Sequence, residues 1–425
     1  MSAQEALSKL AGPTGLTIPR GITSVCSAHP LVLEAALLRA KAASVAVLIE
    51  ATCNQVNHEG GYTGMTPVAF RRFVEDIAAR VGFPLEHLIL GGDHLGPNPW
   101  KSLPAADAMA RAETMVAAFV EAGFRKIHLD TSMGCAGEPE ALADDVTATR
   151  AARLARVAED AATRAGVPSP VYIIGTEVPP PGGATHAITE LAVTSPAAAA
   201  ETLAIHRRAF AAAGASAAFE RVIGIVVQPG VEFGNANVVI YRPERAHELS
   251  AALDRMPGIA FEAHSTDYQP TAALRQLVED GFAILKVGPG LTFALREALY
   301  GLDAIAAELA GDPGGVLPQA MEQLMLDEPG NWNRHYGGSP DEQRLQRHFS
   351  YSDRIRYYWP HPRAAAAVDG LLARLAGVTI PETLISQHLA RLYPAVVEGR
   401  LKPEARALCL AAIDAALDPY YVATS

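Results

Sequence analysis

Apolar positions in this chain gather into short unbroken runs instead of alternating with polar ones. Runs rich in Val, Ile and Leu fall near residues 21–27, 45–53, 88–93, 126–131, 171–178, 221–228, 259–265 and 283–288. A strand with one wet face alternates, whereas a near-continuous run marks a strand buried on both faces, as in a parallel sheet enclosed by helices. Between the runs lie alanine-rich stretches of helical character, notably 71–80, 106–122, 148–165 and 197–213. Eight βα repeats of roughly 25 to 50 residues predict a closed (β/α)8 TIM barrel in preference to an open doubly wound sheet.

No further strand is evident beyond Pro289. Residues 295–309, 318–325, 364–376 and 405–416 look helical, while 332–335 and 351–362 are aromatic and basic. The expected organisation is therefore a barrel over residues 1–300 and a mainly helical C-terminal extension over 301–425 that covers the barrel mouth. No repeat of solenoid type and no low-complexity tail is present.

Each apolar run ends in groups able to bind a metal, move a proton or contact a polar substrate, and a barrel collects such endings at the carboxyl ends of its strands. The strongest ending is Gly91-Gly92-Asp93-His94-Leu95-Gly96-Pro97-Asn98. An isolated Asp-His pair could simply cap a helix and bond a loop. A second ending, Glu262-Ala263-His264, changes that balance. Two histidines on different strands, joined by a carboxylate or amide, make an open three-ligand site for zinc or a similar divalent ion.

His94 and His264 are the expected metal ligands, with Glu177, Gln228 or Glu50 as candidates for the third. Glutamine is a poor zinc ligand, so Gln228 is equally a substrate contact. In Ile127-His128-Leu129-Asp130-Thr131-Ser132 the strand period places His128, Asp130 and Ser132 on one face. If that face points inward, Asp130 is catalytic; if outward, it only meets a helix. Ser27, Glu50 and Asn54 are further substrate contacts. Lys286 is either a Schiff-base nucleophile, were it to lose its proton among apolar neighbours, or a salt-bridge partner inside the barrel. Arg354 and Arg356 either clamp a phosphate or pair with surface charges beside packed aromatics. The Gly60–Gly64 segment, with three glycines, looks like a mobile loop.

Composition narrows the field. The 425 residues are 49% hydrophobic but only 6% aromatic, and the formal charge of −11 argues against a nucleic-acid partner. Cys26, Cys53, Cys135 and Cys409 form no C-x-x-C pair, so neither a zinc knuckle nor a disulfide framework is indicated. The first residues lack the apolar core of a leader, and no run approaches the roughly 18 to 20 residues needed to span a bilayer. A soluble cytoplasmic protein is expected. The absence of G-x-x-x-x-G-K-[ST], and of G-x-G-x-x-G after a strand, disfavours a P-loop kinase and a dinucleotide oxidoreductase.

The stretches Val25-Cys26-Ser27-Ala28-His29-Pro30, Ile49-Glu50-Ala51-Thr52-Cys53-Asn54-Gln55-Val56-Asn57, Gly60-Gly61-Tyr62-Thr63-Gly64-Met65, Gly91 through Asn98 and Ser352-Asp353-Arg354-Ile355-Arg356-Tyr357-Tyr358-Trp359 closely resemble the tagatose-bisphosphate aldolase subunit Z (GatZ/KbaZ-like) family. That resemblance implies one of three activities: a ketose 4-epimerase acting on D-tagatose 6-phosphate, a non-catalytic subunit stabilising a class II aldolase, or a tagatose 6-phosphate kinase. The order of strand endings is also similar to that of class II aldolases, which implies Asp93 as base and His94 and His264 as ligands. Those aldolases carry a further metal-binding histidine where this chain has Gln228, so the ligand set departs from their pattern.

Under the preferred expectation, D-tagatose 6-phosphate and D-fructose 6-phosphate interconvert by retro-aldol cleavage between C3 and C4, rotation of the aldehyde and recondensation. Asp93 and Asp130 then serve the two sides of C4, with Glu177 as ligand or reserve acid-base group. The expected partners are a small sugar phosphate, a second copy of the chain, or an aldolase catalytic subunit.

Overall fold

The structure, a computed structural model, describes residues 21–175 and 191–424. Eight parallel strands close into a barrel: β1 (Ile22–Cys26), β2 (Val47–Thr52), β3 (Leu88–Leu95), β4 (Lys126–Leu129), β5 (Val171–Ile174), β6 (Val222–Val227), β7 (Ala260–Ala263) and β8 (Ile284–Val287). Each strand pairs with its neighbours in the chain, and β8 closes on β1 with Ile284 opposite Ile22 and Val287 opposite Val25. The TIM barrel expected from the eight apolar runs is the fold observed.

The surrounding helices are α1 (Pro30–Ala43), α2 (Pro67–Val81), α3 (Ala105–Glu121), α4 (Asp144–Ala165), α5 (Pro196–Ala212), α6 (Pro243–Ala252), α7 (Thr271–Glu279) and α8 (Pro289–Ala310). Proline opens α1, α2, α5, α6 and α8, where its missing N–H costs nothing. Thr66 and Ser195 cap α2 and α5 through their hydroxyl oxygens. Gly82 and Gly166 end α2 and α4 in the left-handed conformation.

The period of two along each strand sorts the barrel interior into layers. The floor is aliphatic, formed by Leu48, Ile89, Ile173, Ile223, Val226 and Ile284. Two residues further along, the same inward positions hold Glu50, Gly91 and Lys286, so the interior turns from oily to charged at mid-height. The alternate positions, such as Val25, Ile49, Ile127 and Leu285, face the helices and join the larger core.

Beyond the barrel follow α9 (Val316–Asp327), α10 (Pro340–Phe349), α11 (Pro362–Arg374) and α12 (Ala405–Thr424), so the C-terminal part is mainly helical, as expected. The expected boundary at residue 300 falls inside α8. α12 returns to the outside of the barrel against α1, α7 and α8. There Arg406 grips Glu34 with both guanidinium ends at 2.7 and 2.6 Å, and the Tyr420 hydroxyl donates to the Thr266 carbonyl at 2.7 Å. The short turn Arg354–Tyr358 reaches the mouth, where Tyr357 meets Tyr62 edge to face at 4.9 Å. Among the described residues, no helix is long and apolar enough to cross a membrane.

Candidate active site

Adjacent strand residues normally point to opposite faces, yet Asp93 and His94 both line the cavity at the carboxyl end of the barrel. A bulge in β3 permits it. Gly92 lies opposite Ile127 and Leu95 opposite Leu129, so three steps on β3 match two on β4. His94 absorbs the extra residue at φ 50°, a left-handed conformation that costs an imidazole residue about 1 kcal/mol or more. Its amide donates to Asp93 Oδ1 at 3.0 Å. Gly96 then passes so close to β4 that a Cβ would lie 1.7 Å from the Asp130 carbonyl oxygen, which explains the glycine.

Asp93, His94, His128 and His264 bring ligand-capable atoms within 4.8 Å of one another. The three imidazole centroids stand 4.9 to 5.2 Å apart. Each ring is held by a carboxylate: His94 Nδ1 by Asp130 Oδ2 at 2.7 Å, His128 Nδ1 by Asp93 Oδ1 at 2.9 Å, and His264 Nε2 by Glu262 Oε1 at 2.9 Å. Carboxylates behind imidazoles fix ring orientation and raise ligand basicity, the usual arrangement around a metal. Ser132 Oγ in turn donates to Asp130 Oδ1 at 2.8 Å.

Two observations test whether these residues fit a cation. His128 Nε2 is buried and has no partner, a costly arrangement unless something binds there. The carboxylates of Glu50, Asp93 and Glu262 face the ammonium groups of Lys126 and Lys286, three negative charges against two positive, while Asp130 pairs with His94. The excess of carboxylate over ammonium suits a bound cation. The cluster is compatible with a metal.

Directly beneath it lies a layer of buried ions. Lys126 Nζ bridges Glu50 Oε1 at 2.6 Å and Glu262 Oε2 at 2.7 Å, all three side chains being wholly inaccessible. Lys286 Nζ contacts Glu50 Oε2 and Asp93 Oδ1, each at 2.8 Å. Ser24 Oγ donates to Glu50 Oε1 at 2.8 Å. Gly91 makes room, since a Cβ there would stand 2.8 Å from Glu50 Cγ.

The electrostatics follow from this crowding. Burial alone would raise the Asp93 carboxyl, but the positive charges of His94 and Lys286 hold it well below the usual range. Burial likewise opposes ionisation of Asp130, yet its hydrogen bond to His94 brings it down to about 2. His94 moves up because Asp93 and Asp130 outweigh the effect of burial. Burial pushes His264 down to about 3 despite its bond to Glu262. Lys286, though buried, is pushed well up by Asp93, Glu262 and Glu50. Its ion pairs with Glu50 and Asp93 favour the salt-bridge reading of this lysine over the Schiff-base one.

Of the residues expected from sequence, Asp93, His94, His264, Asn54, Lys286 and Arg356 line one cavity. Asp130 stands behind His94, bonded to its Nδ1, and is not among the residues lining that cavity. Glu50 lies below, in the ion layer. Gln228 turns into its own loop, where its Oε1 accepts from the Gly230 and Val231 amides at 2.8 and 2.9 Å. Ser27 Oγ accepts from the His29 amide at 3.3 Å, at the start of α1. Arg354 is also outside the wall: its Nε donates to the Asn331 carbonyl, and its guanidinium stacks 5.0 Å from the Tyr357 ring centre. Glu177 lies outside the described residues.

His128 is the residue that sequence reasoning passed over. Its signal was present, because it shares a strand face with Asp130, and that face does point inward. The glycine segment expected to be mobile is tied down. Asn57 Oδ1 accepts from the Glu59 and Gly61 amides at 2.9 and 3.1 Å, and Thr63 Oγ1 donates to the Gln55 carbonyl at 2.7 Å. This presents Tyr62 to the cavity.

Residues 8–425 match the family described as D-tagatose-1,6-bisphosphate aldolase subunit GatZ/KbaZ-like. The chain belongs to that family. This GatZ/KbaZ-like chain is 61% identical over 407 residues to D-tagatose 6-phosphate 4-epimerase of Agrobacterium fabrum, covering 96% of this chain and 95% of that protein. It is 63% identical to a probable tagatose 6 phosphate kinase from Sinorhizobium meliloti 1021. That crystal structure superposes with a TM-score of 0.88 over 95% of this chain and 100% of the other. A crystal structure of fructuronate-tagaturonate epimerase from Cohnella laeviribosi, 12% identical, shares the fold with a TM-score of 0.50 over 97% and 84% of the two chains.

Proposed function

We propose that this GatZ/KbaZ-like chain is a ketose-phosphate 4-epimerase interconverting D-tagatose 6-phosphate and D-fructose 6-phosphate. The observation that carries the reading is the convergence of Asp93, His94, His128 and His264 at one barrel mouth, in a chain 61% identical to a relative of that name. A subunit that only stabilised another polypeptide would have no use for such a cluster. A kinase would need a nucleotide site, and the sequence carries no P-loop motif.

The substrates differ only at C4, and inversion by retro-aldol chemistry needs a base at the C4 hydroxyl. Asp93, ionised and lining the cavity, accepts that proton; the C3–C4 bond breaks, leaving C4 as an aldehyde and C3 as part of an enediolate. A divalent metal, for which zinc suits the imidazole-rich donor set, would polarise the C2 carbonyl and stabilise the enediolate when bound by His94, His128 and His264. Rotation of the aldehyde presents its other face, and recondensation returns the proton to the inverted C4 oxygen. Asp130 orients His94 throughout. Glu177 is retained as the reserve acid-base group or further ligand. Arg356 holds the phosphate of the three-carbon aldehyde while it turns, so that the fragment rotates without leaving.

The test uses the purified chain alone with D-tagatose 6-phosphate, following D-fructose 6-phosphate formation. Conversion should occur and should fall on chelation. His128→Ala should weaken metal binding by on the order of 10- to 100-fold or more, with activity falling in parallel. Full activity at negligible metal content would sink the metal reading, and no conversion by metal-loaded protein would sink the epimerase reading.

Phosphate recognition has its own test. Arg356→Ala should raise KM for D-tagatose 6-phosphate by roughly 10- to 100-fold, the worth of a charge-assisted contact, and leave the unphosphorylated sugar little affected. Equal losses for both sugars would place the phosphate elsewhere.

A further inference from the structure

TIM barrels frequently bind phosphate at the loops after the seventh and eighth strands, where a helix start aims its free amides at an anion. In this chain that place is already filled. The loop after β7 sends Asp267 across to the start of α8, where its Oδ1 accepts from the Gly288 amide at 2.9 Å and the Gly290 amide at 2.7 Å. Pro289 between them has no amide hydrogen to offer. A Cβ on Gly290 would come within 3.0 Å of the same oxygen, so the fit is close. Asp267 is 3% exposed and lines the same cavity as Asp93 and His264.

The cations of the cavity wall point the same way. Among the described residues its lysine and arginine are Lys286 and Arg356. Lys286 is matched by Glu50, Asp93 and Glu262, whereas Arg356 donates to the Ser352 and Asp353 carbonyl oxygens and the Tyr357 hydroxyl. Asp267 and Asp353 are near enough to feel its charge, but among the described residues no carboxylate is in direct ion pair with it, so it is the cation more open to a phosphate. A second phosphate would find a helix start whose amides are taken and a carboxylate in its place.

We propose that Asp267 is a specificity-determining residue: an internal anion that closes the α8 helix start and restricts the cavity to sugars carrying a single phosphate. This rests on the sugar-phosphate reading of the site. The test is calorimetric binding of D-fructose 6-phosphate, D-fructose 1,6-bisphosphate and inorganic phosphate to the metal-loaded full chain and to Asp267→Ala. The wild type should favour the monophosphate, and the variant should shift the bisphosphate-to-monophosphate affinity ratio at least tenfold toward the bisphosphate. Inorganic phosphate should also bind the variant at least tenfold more tightly. Asp267→Asn keeps an acceptor for both amides and so preserves the helix start; it should shift the ratio in the same direction, and it decides the matter if the alanine variant does not fold. An unchanged ratio in the folded variants, or a wild type that binds both sugars equally, overturns the proposal. If the wild type binds neither sugar phosphate, the substrate reading fails instead, and the inorganic phosphate comparison still decides the role of Asp267.

Discussion

Asp93→Asn should lower kcat for epimerisation by roughly 10³-fold, about 4 kcal/mol of transition-state stabilisation, while the barrel remains folded. The amide has nearly the same shape but cannot accept the C4 proton. It also disturbs three contacts at once, because Asp93 Oδ1 meets Lys286 Nζ at 2.8 Å, His128 Nδ1 at 2.9 Å and the His94 amide at 3.0 Å. The positive groups around Asp93 keep it ionised, so no compensating rise in activity is expected at higher pH. The decisive comparison is with Glu50→Gln, which alters a neighbour in the same ion network that stays out of the cavity wall. If Asp93 is the base, its variant loses kcat with little change in KM, and the loss exceeds that of Glu50→Gln by a wide margin. Activity within tenfold of wild type would remove Asp93 from the chemistry.

The barrel was legible because buried parallel strands leave an unbroken apolar signature, and the eight runs correspond to the eight strands. The inward face was partly legible too. Reading in twos from Leu48, Ile89 and Ile284 leads to Glu50, Gly91 and Lys286 on the same face, and the same rule applied to β4 puts His128 beside Asp130. What the rule could not supply was the β3 bulge. Regular alternation would send either Asp93 or His94 outward, and no residue type in Gly91-Gly92-Asp93-His94 announces that His94 takes a positive φ. The placement of Gln228, Ser27 and Arg354 was illegible for a different reason. Each ends at or near a strand mouth or a basic cluster, but local hydrogen bonds to loop amides or carbonyls claim the side chain first. Such local competition depends on loop geometry that spacing does not encode. The path of α12 back to the outside of the barrel was equally hidden, since an alanine-rich helix carries little information about which surface it will cover.

Lys126→Met should be among the most destabilising single changes available in this chain, costing about 3 to 5 kcal/mol, because it leaves two buried carboxylates without their shared counter-ion. Glu50 and Glu262 lie 2.6 and 2.7 Å from its Nζ, and neither has any accessible surface. Lys286 reaches both, but at 2.8 Å for Glu50 and 3.5 Å for Glu262, and it must also serve Asp93. The remaining ammonium cannot balance three carboxylates. The unfolding midpoint in urea should fall sharply, and metal affinity should fall with it, since Glu262 orients His264 and a displaced Glu262 misaligns that ring. Adding Glu50→Gln to Lys126→Met removes one of the stranded charges and should recover part of the lost stability. This double-mutant cycle separates a charge effect from a packing effect: methionine fills much of the lysine volume, so a packing loss would be small and indifferent to Glu50. A Lys126→Met protein within 1 kcal/mol of wild type, or a double variant no more stable than the single one, would mean that the ion layer is not what supports the site above it.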